Sequence, residues 1–188
     1  MRLPPLLPED LSPELRAVHD TIAGLVAGSM PKVVSVDERG ALVGPYPAML
    51  HFPTFGIPAL QFLAAVSSQA RLPKTVHETA ILTVGAVFNA RYELYAHEIQ
   101  GDVAGLSAAQ IATLASGGRP PDLRDEDSIA HDVARAMASG RILPASTYQR
   151  AVDAFGTDGV GELVFLIGGY CLIATVLNCF DVPVPEEN

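Results

Sequence analysis

The sequence predicts an all-α protein, and three observations lead to that prediction. Helix start and stop signals recur along the chain, whereas strand-like character is confined to one short run, residues 32–36. Between these signals, apolar residues recur three and four positions apart, which is the period of an amphipathic helix. The alternation of strands and helices that builds a parallel sheet is missing from the pattern. We therefore expect an antiparallel helical bundle.

The first part of the chain predicts four helices and one long loop. Ser12 followed by Pro13 is a helix-start signal, and the apolar period continues through Val26. Residues 28–47 are rich in glycine and proline and predict a long loop, a feature that is often functional in a compact domain. The following helices are predicted at 47–51, at 57–70 and from Pro73 onward.

Capping residues place the helices in the middle of the chain. Asn89 is a good N-cap for a helix at 90–104, and Gly105 is its predicted stop. Ser107 and Gln110 have the spacing of a capping box, which starts a short helix ending at the two glycines 117–118. A connection rich in proline and charge follows.

The last third of the chain predicts helices at 125–139, 144–155 and 158–179, the last capped by Thr157. Residues 163–177 form an uncharged run of 15 residues, shorter than the roughly 20 that cross a bilayer. Glu162 precedes this run and no basic cluster flanks it. A helix that is apolar all round is typical of a core or an oligomer interface, so we expect no membrane span.

Composition excludes several classes of function. The chain has 188 residues, 49% of them apolar and 18% charged, which predicts one globular domain spanning residues 1–188. Its net charge of −9 disfavours binding to nucleic acid, which requires a basic face. Cys171 and Cys179 would lie about 12 Å apart along a helix, too far for a disulfide. Free thiols and an N-terminus without a long apolar stretch predict a cytoplasmic protein.

One pair of residues suggests chemistry. Glu93 and His97 are four positions apart and therefore share a helix face, where a carboxylate can orient and tune an imidazole for proton transfer. Glu78 lies on the preceding predicted helix and would face this pair if the two helices pack antiparallel. The alternative is a solvated helix face, which is the commoner meaning of this spacing. Metal-ligand, phosphate-loop and serine-nucleophile motifs are missing, so we expect no metal or cofactor.

Residues 44–118 resemble the carboxymuconolactone decarboxylase and alkylhydroperoxidase-D-like family. The match is an ordered set of short pieces, and the apolar run near the C-terminus also resembles the closing helix of that family. The pieces are Gly44-Pro45-Tyr46, His51-Phe52-Pro53, Glu78 within HETAIL, Asn89-Ala90-Arg91-Tyr92-Glu93, His97, and Ala104-Gly105-Leu106-Ser107 with Ile111. The resemblance implies an all-α fold of the alkylhydroperoxidase-D-like type, with residues 44–118 as its core motif region.

The peroxidase branch of the family does not fit these residues. In that branch a glutamate precedes a Cys-x-x-Cys pair, and a histidine follows the second cysteine by four positions. Glu78 and His97 match the glutamate and the histidine, but the two cysteine positions are Ala90 and Glu93. Peroxide reduction needs a thiolate and a resolving thiol, so the resemblance disfavours a thiol peroxidase.

The decarboxylase branch fits better, because it has a Tyr-Glu pair followed by a histidine. The resemblance implies cofactor-free decarboxylation of a small carboxylated lactone in the catabolism of aromatic compounds. His97 would be the general acid, Glu93 would orient it, and Glu78 would be a relay or a second orienting group. Its other implications are a homotrimer or homohexamer and an anionic substrate, with the binding candidates Arg71, Lys74, His51 and Tyr92.

Two other functions remain open. One is a different small-molecule reaction without a thiol, such as isomerisation or hydration. The other is a non-catalytic module for ligand binding or assembly, in which Glu93 and His97 have no chemical role. The fold alone does not decide among these functions, because one fold supports several chemistries.

Overall fold

The computed structural model describes residues 1–185, and in this range the chain is helical. A 3₁₀ turn at Pro8–Asp10 precedes eight α-helices. They are α1 (Pro13–Ser29), α2 (Tyr46–His51), α3 (Pro53–Ser68), α4 (Lys74–Phe88), α5 (Arg91–Ala104), α6 (Ala108–Ala115), α7 (Asp125–Ala138) and α8 (Ala145–Cys179). The predicted all-α class is confirmed.

The loop between α1 and α2 contains the strand-like run expected from the sequence. In the structure this run forms one isolated β-bridge. Val36 pairs antiparallel with Leu42. Between them, a carboxylate oxygen of Asp37 accepts hydrogen bonds from the backbone N–H groups of Arg39 and Ala41. Gly40 has a φ of +83°, which permits this tight turn. A single bridge is too short to begin a sheet.

α4 is the central helix of the bundle. It packs against α5, α6, α7 and α8, and from position 76 to 85 every residue except Glu78 is buried. The main core cluster joins α4 to α7 and α8 through residues such as Val84, Val133 and Leu163. Burying side chains of this size contributes about 1.5–3 kcal/mol each. α4 is therefore a firm support for any group it presents to a site.

The junction between α4 and α5 corrects one prediction. Asn89 does not cap the start of α5, because it ends α4 in the left-handed conformation with φ 52°. The N-cap of α5 is Ala90, which makes no side-chain capping bond. Asparagine tolerates left-handed backbone better than most residues and is also a common N-cap, so its identity alone does not separate the two roles. The position of the break was predicted correctly.

Other helix ends agree with the sequence to within a few residues. Ser12 accepts a hydrogen bond from the backbone of Leu15, and Ser107 and Gln110 form the expected capping box. α3 begins at Pro53, four residues before the predicted start, and it contains Pro58. Pro58 lies in the second turn of the helix, where it removes one backbone N–H donor.

α8 contains one break, at Gly156. This glycine has φ 67° and ψ 173°, so the helix divides where two helices were predicted. Thr157 follows the break and, contrary to the prediction, makes no capping hydrogen bond in the described part of the chain. Within residues 1–185, α8 is the one helix long and apolar enough to cross a membrane, and 44% of its apolar window is buried. The core helix of a helical bundle can be equally long and equally apolar, so these two properties do not distinguish it from a membrane-spanning helix.

Candidate functional site

The site begins with a hydrogen bond between α4 and α5. His97 Nδ1 lies 2.7 Å from Glu78 Oε2, and the two side chains are only 8% and 12% exposed. The short junction after Phe88 folds α5 back along α4, which brings the two residues together. When Glu78 is ionised, Nδ1–H donates to it, and Nε2 of the neutral imidazole then holds the free lone pair. A base oriented in this way can accept a proton from a bound molecule.

Glu93 shares the helix face of His97 but is not its partner. Its side chain is buried, with 2% of the residue exposed, and both carboxylate oxygens lack a hydrogen-bond partner among the described residues. The sequence predicted that Glu93 orients His97, and in the structure Glu78 does so instead. The sequence had also given Glu78 as a second orienting group, and the ring of His97 turns across the interface towards α4 to meet it.

Burial also changes the protonation state expected for Glu93. Its position in the first turn of α5 suggested that the helix dipole would keep it ionised, an effect of about 0.3–1 kcal/mol. Moving an unpaired carboxylate out of water costs several kcal/mol, so desolvation outweighs the dipole. Burial raises the pKa of Glu93 well above its ordinary value. Burial therefore favours the neutral form of Glu93, which can donate a proton.

A glycine on α4 makes room for this buried acid. A Cβ atom at Gly85 would lie 3.4 Å from Glu93 Oε1 and 3.0 Å from Leu94 Cδ2. The second distance is shorter than ordinary van der Waals contact. Gly85 therefore allows α5 to approach α4 closely at the level of Glu93.

Tyr170 on α8 completes the cluster, and sequence reasoning missed it. Its ring stands edge-on to that of His97, with centroids 4.9 Å apart and an interplanar angle of 89°. Burial raises the pKa of Tyr170 well above its ordinary value, and Glu78, Glu93 and Tyr46 raise it further. A tyrosine within an otherwise uncharged run is a signal for this role, but the run as a whole predicts only a core or an interface.

Tyr46, at the start of α2, approaches the same cluster. Burial raises the pKa of Tyr46 to about 12, and Tyr46 in turn raises the pKa of Tyr170. α4, α5 and α8 therefore bring together one imidazole–carboxylate pair, one carboxylic acid and one phenol, and Tyr46 on α2 acts on that phenol electrostatically. Titratable groups whose environments separate their pKa values are the usual basis of acid–base catalysis.

The predicted substrate-binding residues are dispersed. Lys74 is exposed and lies one turn before Glu78 on α4, so it is placed near the outer edge of the site. His51 donates from Nε2 to the carbonyl of Pro4. Tyr92 is buried and donates from its hydroxyl to the carbonyl of Val34, 2.6 Å away. His51 and Tyr92 thus hold surrounding segments in place.

Arg71 belongs to a different region, a groove of about 990 Å³ beside the break in α8. There the carboxylate of Glu162 accepts hydrogen bonds from the backbone N–H groups of Arg71 and Leu72 and lies 2.7 Å from His77 Nε2. Burial raises the pKa of Glu162, but these hydrogen bonds lower it further, so the net shift is downward. The carboxylate is well satisfied and ties the α3–α4 connection to α8.

The cysteines and the possible metal ligands of residues 1–185 lie apart from one another. This part of the chain contains no group of three histidine, cysteine, aspartate or glutamate side chains arranged to hold a metal ion. Cys171 and Cys179 are both free thiols. Burial, with a contribution from Glu93, raises the pKa of Cys171, which disfavours its reactive thiolate form.

Comparison with known proteins supports the fold. A solved structure of the debrominase Bmp8, a cysteine-to-alanine variant in complex with 2,3,4-tribromopyrrole, is similar to this chain with a TM-score of 0.76. The alignment covers 99% of this chain and 92% of Bmp8 at 11% sequence identity. No family model and no curated protein sequence matches the chain. At such low identity the likeness establishes a shared helical fold, which is the alkylhydroperoxidase-D-like fold expected from the sequence.

Proposed function

We propose that this chain is a cofactor-free enzyme that transfers a proton to or from carbon in a small molecule. The observation that carries the proposal is the placement of a neutral, unpartnered carboxylic acid, Glu93, beside the hydrogen-bonded pair of His97 and Glu78. One group can give a proton and the other can take one, within a site that excludes most water.

Each residue has a distinct role in this proposal. Glu93 donates a proton to the carbon of the substrate, His97 accepts a proton through Nε2, and Glu78 orients the imidazole and stabilises the imidazolium. The sequence suggested His97 as the acid and Glu93 as its orienting group. The buried, unpaired state of Glu93 favours a different assignment, in which Glu93 is the acid and His97 is the base.

Decarboxylation of a carboxylated lactone is the specific reaction that we propose. Loss of CO2 leaves an electron pair in the conjugated lactone, and Glu93 then protonates carbon. The proposed substrate is a small anion, and Lys74 supports this because it is an exposed cation one turn from Glu78. Arg71 lies at the groove beside Glu162 instead, so we do not propose it as a substrate ligand.

Isomerisation is a second candidate, favoured by a separate observation. An isomerase removes a proton at one carbon and returns one at another, so it needs both a base and an acid. The site supplies both, in His97 and Glu93. In a decarboxylation no proton is removed from carbon, and His97 instead returns to Glu93 the proton that Glu93 has given to carbon. The Bmp8 structure is a complex with a small aromatic ring, which supports a small-molecule substrate but not a particular reaction.

Incubation in D2O with a panel of small lactones and ketones, half of them carboxylated and one of them carboxymuconolactone, tests the proposal. We expect deuterium to enter carbon–hydrogen positions of at least one compound, and NMR measures this incorporation. If the reaction is decarboxylation, CO2 is released as well. Replacing His97→Gln or Glu93→Gln should lower the rate by about 10²–10⁴-fold, the usual contribution of an acid or base.

Glu98→Gln is the matched control, because Glu98 is an exposed carboxylate on the same helix. This variant should keep the wild-type rate. Binding without any exchange would instead identify a non-catalytic ligand-binding module. Peroxide consumption that depends on a thiol would contradict the proposal, since neither Ala90 nor Glu93 carries one.

A further inference from the structure

We propose that the hydroxyl of Tyr170 is the hydrogen-bond donor that binds a carbonyl oxygen of the substrate and stabilises the enolate formed there. The substrate class is therefore a carbonyl compound, a lactone or a ketone, whose reacting carbon is conjugated with that carbonyl. This inference rests on the proposed proton-transfer function. It adds a catalytic residue that neither the sequence pattern nor the resemblance had indicated.

Tyr170 lies next to His97, the proposed base. Its ring packs edge-on against that of His97, with the two ring centroids 4.9 Å apart. α8 is held firmly at this point, because a Cβ atom on the preceding Gly169 would lie 3.0 Å from Leu63 and 3.1 Å from Phe62 on α3. Close packing of α8 against α3 thus sets the direction in which Tyr170 projects.

The hydroxyl of Tyr170 is available to a ligand. It forms no hydrogen bond within residues 1–185, and the residue is only partly exposed. Its oxygen is not fully enclosed, so it is open to a partner from outside the chain. Tyr92, a buried tyrosine on α5, is by contrast already engaged, because it donates to the Val34 carbonyl. A free donor beside a free carboxylic acid, Glu93, is the arrangement expected where a ligand supplies the missing acceptors.

Tyr170 remains a hydrogen-bond donor throughout the reaction. Burial and the nearby Glu78, Glu93 and Tyr46 all raise its pKa, so the phenol keeps its proton. Because the phenol is neutral, it forms no salt bridge before the reaction. It is therefore free to donate a hydrogen bond to the oxyanion as that anion forms. Donors placed in advance in this way are typically worth 10²–10³-fold in rate.

The steps balance without an added reactant. His97 removes the proton from carbon, or CO2 departs, and the electron pair of the broken bond moves into the carbonyl to form an enolate. The enolate oxygen accepts a hydrogen bond from Tyr170. Glu93 then gives its proton to the conjugated carbon, the carbonyl re-forms, and Glu93 regains a proton from the imidazolium or from water.

Tyr170→Phe tests the inference, because it removes the hydroxyl and keeps the ring that contacts His97. Tyr148→Phe is the matched control, since Tyr148 is an exposed tyrosine on the same helix. We expect Tyr170→Phe to lower kcat about 10²-fold with little change in KM, and Tyr148→Phe to leave both unchanged. An unchanged kcat in Tyr170→Phe would overturn the assignment while leaving the proton-transfer proposal intact.

A binding measurement separates this inference from turnover. The probe is a five-membered unsaturated lactone labelled with ¹³C at its carbonyl, and the readout is the NMR shift of that carbon in the complex. A hydrogen bond from Tyr170 moves the resonance downfield in the wild type, and Tyr170→Phe should lose that displacement. Equal shifts in the two proteins, or no binding of the lactone by the wild type, would overturn the inference. Binding with the predicted shift but no exchange would refute only the proposed reaction.

Discussion

At the scale of single residues, Glu93 shows how burial can reverse a local rule. A glutamate in the first turn of a helix is normally favoured as an anion, because the helix dipole stabilises it. In this protein the carboxyl group lies against Gly85 and has no partner for either oxygen among the described residues, so desolvation dominates and the group is neutral. The spacing of Glu93 and His97 predicted that they share a helix face. It did not predict which residue of the neighbouring helix would form a hydrogen bond with the histidine.

The neutral state of Glu93 has a consequence for stability. In the unfolded chain this glutamate ionises near pH 4.3, whereas in the folded protein its pKa is raised. Between these two values the folded state binds one more proton, so the free energy of unfolding falls by about 1.4 kcal/mol for each pH unit gained. Glu93→Gln removes the ionisable group and therefore removes this decrease in the free energy of unfolding. We expect the free energy of unfolding of the variant to rise relative to that of the wild type as the pH is raised above about 4.3.

Urea denaturation at several pH values measures this effect. The control is Glu98→Gln, which changes an exposed carboxylate on the same helix and should follow the wild-type pH dependence. A stability difference between Glu93→Gln and the wild type that stays constant over this range would mean that Glu93 is ionised in the folded protein.

At the scale of elements, the helices could be predicted largely from local signals. The capping box at Ser107 and Gln110 satisfies two backbone groups and needs no other part of the chain, so the sequence alone predicts it correctly. Asn89 was placed at the right break but assigned the wrong role, since its side chain suits both helix ends. The cluster of Glu78, Glu93 and His97 was anticipated, whereas Tyr170 was not, because contacts between distant segments depend on packing that no local pattern encodes.

Substitutions at Asn89 distinguish its two capping roles. Serine is a good N-cap but a poor residue in left-handed backbone, and glycine adopts that backbone freely. With φ at 52°, we expect Asn89→Ser to lower the free energy of unfolding by about 1–2 kcal/mol and Asn89→Gly to be neutral or stabilising. Thermal and urea denaturation measure both. An Asn89→Ser variant as stable as the wild type would restore the N-cap role predicted from the sequence.

At the scale of the whole molecule, α8 joins the site to a surface. One side of the helix carries Tyr170 and the core, and another leaves Val164, Phe165 and Leu172 exposed. Exposed apolar residues on a helix of this kind support the proposal that the chain forms a homotrimer or homohexamer.

A charge placed on this surface tests the assembly. Phe165 is 62% exposed, so Phe165→Glu should be tolerated by an isolated chain but should disrupt an interface. We expect light scattering coupled to size exclusion to report a smaller species for this variant than for the wild type. Val103→Glu is the control, because Val103 is 60% exposed on α5. A monomeric wild-type protein would refute the proposed assembly.

The central claim is that His97, oriented by Glu78, moves a proton to or from the carbon of a substrate, with Glu93 as the acid. The most direct measurement is the rate at which deuterium enters carbon positions of a responsive lactone or ketone in D2O, compared between His97→Gln and His51→Gln. We predict that His97→Gln lowers this rate at least about 10²-fold while the folded structure is retained. His51→Gln, which alters contacts with Pro4 and Phe52, should exchange at the wild-type rate. Equal rates for the two variants would contradict the claim.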